Sequence, residues 1–596
     1  MPARQTIPDG KTATWPHDDP TRPGWTFNGW FVGDLAYDFT KPVTQDLTLT
    51  AKWGKWATST DTGPWQGGTN VKIDTPGSQV RFTQISAGPI FSLALGSDGN
   101  AYTWGNNFFG QLGAGEDHSV YHRAPRMAAM PEGVKFTQVS AGQSHAMALD
   151  RDGRIWTWGS DFGGTLGRPV DGPTGYSPGL AVVPEGVTFT AVSAGMHSSM
   201  ALDSTGQAWT WGFYDTATPR KVDQGEGTVF TAICATANPN KNAYTALDTD
   251  GRIWTWQWYY FDPVPFNPVP VETDVRFKAY SIDYYGDHFI AIARDGTVWT
   301  WNVENNGSGI GQLGRIPDSA NPVDKPGRVP GLTGATQVDG GNCAAGADTG
   351  FSLAITDTGV WAWGYNDHGQ LGTGTSENTD TPARVVTPAG APTGFRYIGI
   401  AAGDDHTVLL GSDGDTYACG INNYNQLGNG TSTAYKIPNP LPVRVWRPVD
   451  RDLTTVLFGE ARNIGGPYRR FDGWHATSPR HSLGTVTLAI QSTVTNGTPQ
   501  PDDTSQRFTY TGGTATVTFK SEHGSPAPPQ QVIVGDTVRR PDDPTTDDGW
   551  TFNGWFQGDR PYDFTQPVTG DTVLTARWGR WKADPAQGPW RGGTDV

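Results

Sequence analysis

The chain has 596 residues, among them 78 Gly, 45 Pro, 25 Trp and three Cys, with 17% charged residues and a net charge of -16. That length is too great for one hydrophobic core, and the turn-dense, aromatic-rich balance suits many short strands better than long helices. The negative charge disfavours phosphate backbones, three cysteines cannot staple a disulfide framework, and no apolar run reaches the roughly 18 residues that cross a bilayer, so neither nucleic acid partners nor membrane insertion are expected.

Near the N terminus, GWTFNGWFVGDLAYDFTKPVTQDLTLTAKWGKW (24–56) returns as GWTFNGWFQGDRPYDFTQPVTGDTVLTARWGRW (549–581), identical at 24 of 33 positions. The second copy begins earlier, with the alternating strand TATVTFKSEHG (514–524), and the constant offset of 525 sets Met1 against Pro526. A sheet short of an edge strand exposes unpaired backbone. The first copy is therefore expected to lack its opening strand, and the chain to be a piece of a longer array. The modules are predicted at 1–56 and 514–581, with Trp25, Phe27, Trp30, Phe31, Tyr37 and Phe39 as a small core in the first. The order VTF, GWTFNGWF, YDFTxPVTxD, LTAKW or LTARW resembles the internalin-type B-repeats of bacterial surface proteins. That resemblance implies a β-rich spacer on a Gram-positive envelope, hence a secreted or wall-associated chain.

Residues 79–448 align on themselves as seven units, 80–133, 134–186, 187–227, 228–274, 275–335, 336–394 and 395–448. In the clearest, VKFTQVSAGQSHAMALDRDGRIWTWGSDFGGTLG, a strand ends in Ala-Gly, a second ends in Leu-Asp, Asp-Gly makes the turn, and a third strand carries Trp-x-Trp. Asp-Gly is the strongest short hairpin signal, and it stands at 98, 152, 250, 295 and 413, with Thr-Gly at 205 and 358. A loop and a Pro-containing strand complete four strands per unit, which predicts a seven-bladed β-propeller. The second Trp recurs as Trp104, Trp158, Trp211, Trp256, Trp301 and Trp363, with Cys419 in the seventh place as a small apolar filler. The motifs NNFFGQLGAG (106–115), NDHGQLGTG (366–374) and NNYNQLGNG (422–430) resemble regulator of chromosome condensation repeats. The third and fourth units depart by losing this loop. Family members include exchange factors on a small GTPase, recognition domains and secreted inhibitors of β-lactamase.

GPWQGGTNVKI (63–73) precedes the units, and LTTVLFGEARNIGG, SPRHSLGTVTLAI and RFTYT follow them. Joined, 63–73 and 451–511 resemble an immunoglobulin-like IPT/TIG domain, so the expected fold class is all-β: a seven-bladed propeller inserted in an immunoglobulin-like β-sandwich and flanked by small β-rich repeat modules. Residues 73 and 453 should then lie side by side. GPWRGGTDV (588–596) would open a further sandwich.

The repeat alignment argues against catalysis. His145, His288 and His406 share a column with Phe91, Ser198, Ala243 and Phe351, which points to packing or local hydrogen bonding. The DRDGR (150) and DTDGR (248) stretches lack the closing Glu of a calcium loop and read as hairpin turns. No catalytic residue, metal or cofactor is expected. The positive signal is aromatic: Phe108, Phe109, Phe162, Phe213, Tyr214, Trp258, Tyr259, Tyr260, Tyr365 and Tyr424 follow the third strands and should gather on one rim as a ligand-binding surface. The expected function is non-enzymatic binding of an extracellular protein or glycan by a chain that is monomeric within its array. A secreted hydrolase inhibitor and a glycan-active enzyme are the alternatives.

Overall fold

Every unit between 82 and 444 folds because three short apolar strands are joined by turns too tight for anything but antiparallel pairing. In the computed structural model the first unit runs Phe82–Ala87, Phe91–Gly96, Ala101–Asn106 and Tyr121–Met127, each strand paired to the next, and six further four-stranded sheets repeat this order up to Val443–Arg444. The structure describes residues 4–580 apart from 17, 116–120, 171–173, 213–215, 237–243, 257–266, 284–285, 304–310, 320–321, 343–349, 436 and 494–498. Among the described residues the one helical element is the single turn Gly311–Leu313.

The second strand of the blades explains the assembly. Phe91–Gly96, His145–Asp150, Ser198–Asp203, His288–Ala293 and His406–Gly411 are buried at every position. A strand that is apolar on both faces needs a neighbour on each side. In blade 1, Phe91, Leu93 and Leu95 point into a cluster with Phe136, Ala146 and Trp158 of blade 2, while Ala94 joins Ala401, Val408 and Leu410 of blade 7. One such cluster fills each seam, and the inner strand of blade 7 packs on that of blade 1, so the ring closes.

The tryptophan column carries the most specific of these contacts. The Trp158 indole donates to the Gln111 carbonyl of the preceding blade at 3.0 Å, Trp211 to Thr165 at 2.9 Å, Trp363 to Gln312 at 2.8 Å and, across the ring closure, Trp104 to Gln426 at 2.8 Å. Cys419 holds the same place with its thiol 3.5 Å from the Gln370 carbonyl. Its burial, which raises the thiol to about 12, fits a packing role. Trp256 and Trp301 follow the two blades whose sequences lack the Gln-Leu-Gly motif, and each stacks on rings of its own blade. Trp256 stacks on Phe230 and Tyr244, and Trp301 on Phe289 at 4.7 Å.

Strands from both sides of the ring meet in a second body. Ala461–Arg462, Asp452–Phe458, Gly484–Thr493, Arg507–Thr511 and Thr62–Pro64 make one sheet, and Ile464–Arg470, Gly473–Thr477, Asn70–Asp74 and Ala57–Thr58 the other. Val71, Ile73, Leu453, Val456, Phe458, Leu488 and Phe508 share its core. The strands that precede the ring begin at Ala57, ahead of residue 63. Where the chain enters and leaves the ring, the Thr75 hydroxyl donates to Asp450 at 2.6 Å, and Val449 bridges to Arg126 on the outer strand of blade 1, beside the Arg126–Asp452 ion pair.

The two end modules are small sheets: Leu35–Ala36, Thr26–Val32 and Thr50–Gly54 in the first; Gln530–Ile533, Thr514–Lys520, Thr572–Gly579, Thr551–Gln557 and Arg560–Pro561 in the second. Trp15, Trp30 and Phe39 centre the first core. The Trp65 indole and the Gln66 amide both donate to the Val534 carbonyl, at 3.0 and 2.9 Å, tying the second body to the C-terminal module.

Trp104→Ala should destabilise the ring by about 3–5 kcal/mol and Trp104→Phe by about 1–2 kcal/mol. Chemical denaturation followed by tryptophan fluorescence, with Trp209→Phe as a ring control that leaves the closure intact, measures both.

Candidate binding face

The loop after each third strand and the turn between the inner and second strands lie at one end of the ring, because Gly105 pairs with Phe91 and the hairpin turn at Asp98-Gly99 lies at the opposite end of the sheet. The loops at the first end are clamped from within. Asn107, Asp161, Asn366 and Asn422 each accept, through Oδ1, the amide of the Leu five residues on, at 3.0–3.1 Å. Gln111, Gln370 and Gln426 accept the amide two residues back, at 2.9–3.1 Å. The turn itself needs a left-handed residue. Gly110, Gly164 and Gly369 supply it at φ +72°, +82° and +80°, and Asn425 supplies it in blade 7 at +64°.

With the polar side chains turned inward, the aromatic ones are displayed. Phe108 is 58% exposed, Phe109 45% and Phe162 51%, while Tyr365 and Tyr424 are half-buried. Four of the five join ring contacts, three of these contacts reaching the neighbouring blade. Phe108 meets Tyr121 edge-on at 5.7 Å, and Tyr121 stacks on Tyr424 of blade 7 at 6.0 Å. Tyr365 approaches His368, which is 6.1 Å from Tyr435, itself 62% exposed. Phe162 packs on His197 at 4.8 Å. Phe213, Tyr214, Trp258, Tyr259 and Tyr260 lie outside the described residues. Tyr121 and Tyr435 were missed by the repeat alignment, which tracks the motif after Trp-Gly and not the variable stretch behind it.

The histidine column is internal wiring. His145 Nε2 lies 3.0 Å from the Ser199 hydroxyl, which donates to the Thr165 carbonyl; His288 pairs in the same way with Ser352 and Gln312, and His406 with Ser92 and Gln426. Each relay crosses a seam and ends on the carbonyl that also receives the next blade's tryptophan. In blade 5, Asp283 stands 2.6 Å from His288 Nδ1, so Asp283, His288 and Ser352 fall in the order of a serine hydrolase triad. All three side chains are fully buried or nearly so, and the serine proton is committed to Gln312, which leaves a substrate no approach. The aspartates of the turns are likewise occupied. Asp150 accepts two turn amides and the Trp156 indole, and Asp248 an amide and the Trp254 indole. No group of three or more residues fit to hold a metal ion lies among the described residues.

The opposite face is partly covered. Gln84 of blade 1 donates to Asp38 and Thr40 of the N-terminal module, at 3.2 and 3.3 Å, and Arg151 of blade 2 pairs with Asp19 at 2.8 Å. A cavity of about 190 Å³ remains between Leu35 and Tyr37 of that module and Phe82, Ile398 and Leu410 of the ring.

The Regulator of chromosome condensation (RCC1) repeat model matches residues 98–149, 152–202 and 357–410, and a second model of that description matches 82–111, 136–164 and 397–426. The propeller carries RCC1 repeats. The longer RCC1 match straddles blades, running from the turn of one to the second strand of the next, so the sequence unit contains the seam. The Listeria-Bacteroides repeat domain matches 2–52 and 516–577. Similar proteins include the E3 ubiquitin-protein ligase HERC2 of Mus musculus, 27% identical over 400 residues, 64% of this chain. The chain spans 7% of that ligase. The Regulator of chromosome condensation of Homo sapiens is 26% identical over 354 residues, 57% of this chain and 72% of that protein. Among solved structures, Prp20p of Saccharomyces cerevisiae is 18% identical with a TM-score of 0.48, covering 68% of this chain and 94% of that one.

Burial holds His145 down at about 3 and His406 at about 4, below the ordinary 6.5. The unfolded chain therefore binds these protons first on acidification. Their stabilisation is fully present above about pH 6.5 and is lost as pH falls toward about 4 and then about 3. Denaturation midpoints between pH 4 and 7 should drop on the acid side. His406→Asn, which keeps a polar partner for Ser92, should flatten that limb by about one proton.

Proposed function

We propose that the ring is a non-enzymatic binding head whose loop face takes an extracellular protein or glycan, carried on a bacterial surface repeat protein. The observation that supports this reading best is the display of Phe108, Phe109 and Phe162 on the end of the ring away from the N-terminal module, above loops held rigid by their own Asn and Gln side chains. Aromatic groups fixed in place bind at small entropic cost. The two Listeria-Bacteroides repeats favour a secreted, wall-associated chain of Gram-positive type, with these modules as internalin-like spacers. In the same reading the two-sheet body interrupted by the ring is an immunoglobulin-like domain of IPT/TIG type that sets the head outward, and the chain is a monomer whose weak single-site affinity is raised by repetition.

Glycan and secreted-protein arrays probed with the full chain supply the ligand. Phe108→Ala with Tyr424→Ala should then weaken binding at least about tenfold, about 1.4 kcal/mol, with the thermal transition moved by less than about 3 °C. Undiminished binding by the double variant would move the site away from this seam.

A further inference from the structure

The two copies of the end module present one surface in two situations. In the first copy it is buried against the hairpin-turn face of the ring and the segment that enters the ring at Pro76. Asn28, with no exposed surface, donates to the Pro76 carbonyl at 3.0 Å, and its own carbonyl accepts the Ser97 hydroxyl. Asp38 and Thr40 accept the Gln84 amide. Two glycines permit this approach, since a Cβ on Gly29 would overlap the Ser97 carbonyl and one on Gly54 the Pro76 carbonyl.

The second copy keeps these residues as Asn553, Gly554, Asp563, Thr565 and Gly579. Gly29 and Gly554 also share their backbone form, φ +114° and +121°, each at a register shift in its strand, so both have a local reason to be glycine. Gly54 and Gly579 do not, for neither has a positive φ. At Gly54 an added Cβ would meet the Pro76 carbonyl and also the Asn28 amide nitrogen of its own module, which is buried and fixed. At Gly579 the three atoms nearest an added Cβ all belong to Asn553, an exposed side chain that can move, and Asp563 and Thr565 are exposed as well. Asp563 and Thr565 hold their own turn, as Asp38 and Thr40 do, so Gly579 is the kept residue whose added Cβ would meet only a side chain free to move.

We propose that the C-terminal module docks through this surface on the hairpin-turn face of the propeller of a second copy of this chain. The occupant follows from the duplication, because the surface it matches is the one that the ring already accepts. Of the six module residues that line the cavity against the ring, Tyr37 and Asp38 are kept, while Val32, Leu35, Ala36 and Lys41 become Gln557, Arg560, Pro561 and Gln566. An arginine stem covers the same apolar wall. The contact is heterologous, so it builds head-to-tail chains rather than a closed dimer. The first module caps the ring's own face until it lifts. The inference is independent of what the loop face binds.

Three full-length chains test it by light scattering across concentration. The parent should stay monomeric. Gly54→Ala, which pushes the first module off its own ring, should raise the weight-average mass at least about twofold between low and high micromolar concentration. Gly54→Ala with Gly579→Ala should return to monomer. A flat mass for Gly54→Ala, or equal association by the double variant, overturns the proposal. A second arm replaces residues 26–54 by 551–579 within the full chain. Hydrogen exchange of segments 81–84 and 96–99 should stay as slow as in the parent, and exchange as fast as in Gly54→Ala would also overturn it.

Discussion

The carbonyl of the residue before the loop Leu, held out toward the next blade, is the point on which the ring turns. In five seams it receives an indole or a thiol from the neighbour's third strand, and in three a histidine–serine relay ends on it as well. A buried carbonyl left unpaired costs about 1–3 kcal/mol, so in these five seams a blade needs the next one to satisfy its loop. The loop that displays the aromatics and the seam that closes the ring are therefore one structure. Disturbing the seam disturbs the binding face.

That coupling explains the blades that depart from the pattern. The sequences of blades 3 and 4 lack the Gln-Leu-Gly motif, and Trp256 and Trp301 of the blades that follow each carry a second stacked ring, Tyr244 and Phe289. The rings of Tyr244 and Phe289 stand at the strand position that Ser92, Ser199 and Ser352 hold in other blades, so apolar filling takes the place of the relay there. Cys419 is the opposite compromise. It retains the carbonyl contact with a far smaller side chain, and a Cβ added at Gly372 would overlap the sulfur.

The blades were legible because their signals are local. Asp-Gly and Thr-Gly turns, strand alternation and Trp-x-Trp each act within a few residues, and the hairpins form where the motifs stand. The histidine column was legible as hydrogen bonding, yet its partners were not, since Ser92 and His406 are 314 residues apart. The Gln-Leu-Gly of blade 5, residues 312–314, was present in the sequence and passed over, although it receives Trp363. For the aromatic rim the sequence gives the end of the ring but not the grouping. Phe108 meets Tyr121 and Tyr424 only because blades 1 and 7 close on each other, and closure is a property of the whole ring.

The two faces of the ring divide the work by how their loops are built. Hairpin turns are short, and their aspartates are spent on turn amides and indoles, so that face is smooth and varies little from blade to blade. A smooth face suits packing against a module of the same chain, as Asn28 and Gly29 show. The loop face tolerates insertion, because the Asn and Gln clamps hold only the residues next to the third strand and leave the remainder free to differ in length and sequence. A protein that must change its ligand without changing its assembly would place the ligand at that end, and the exposed phenylalanines stand there.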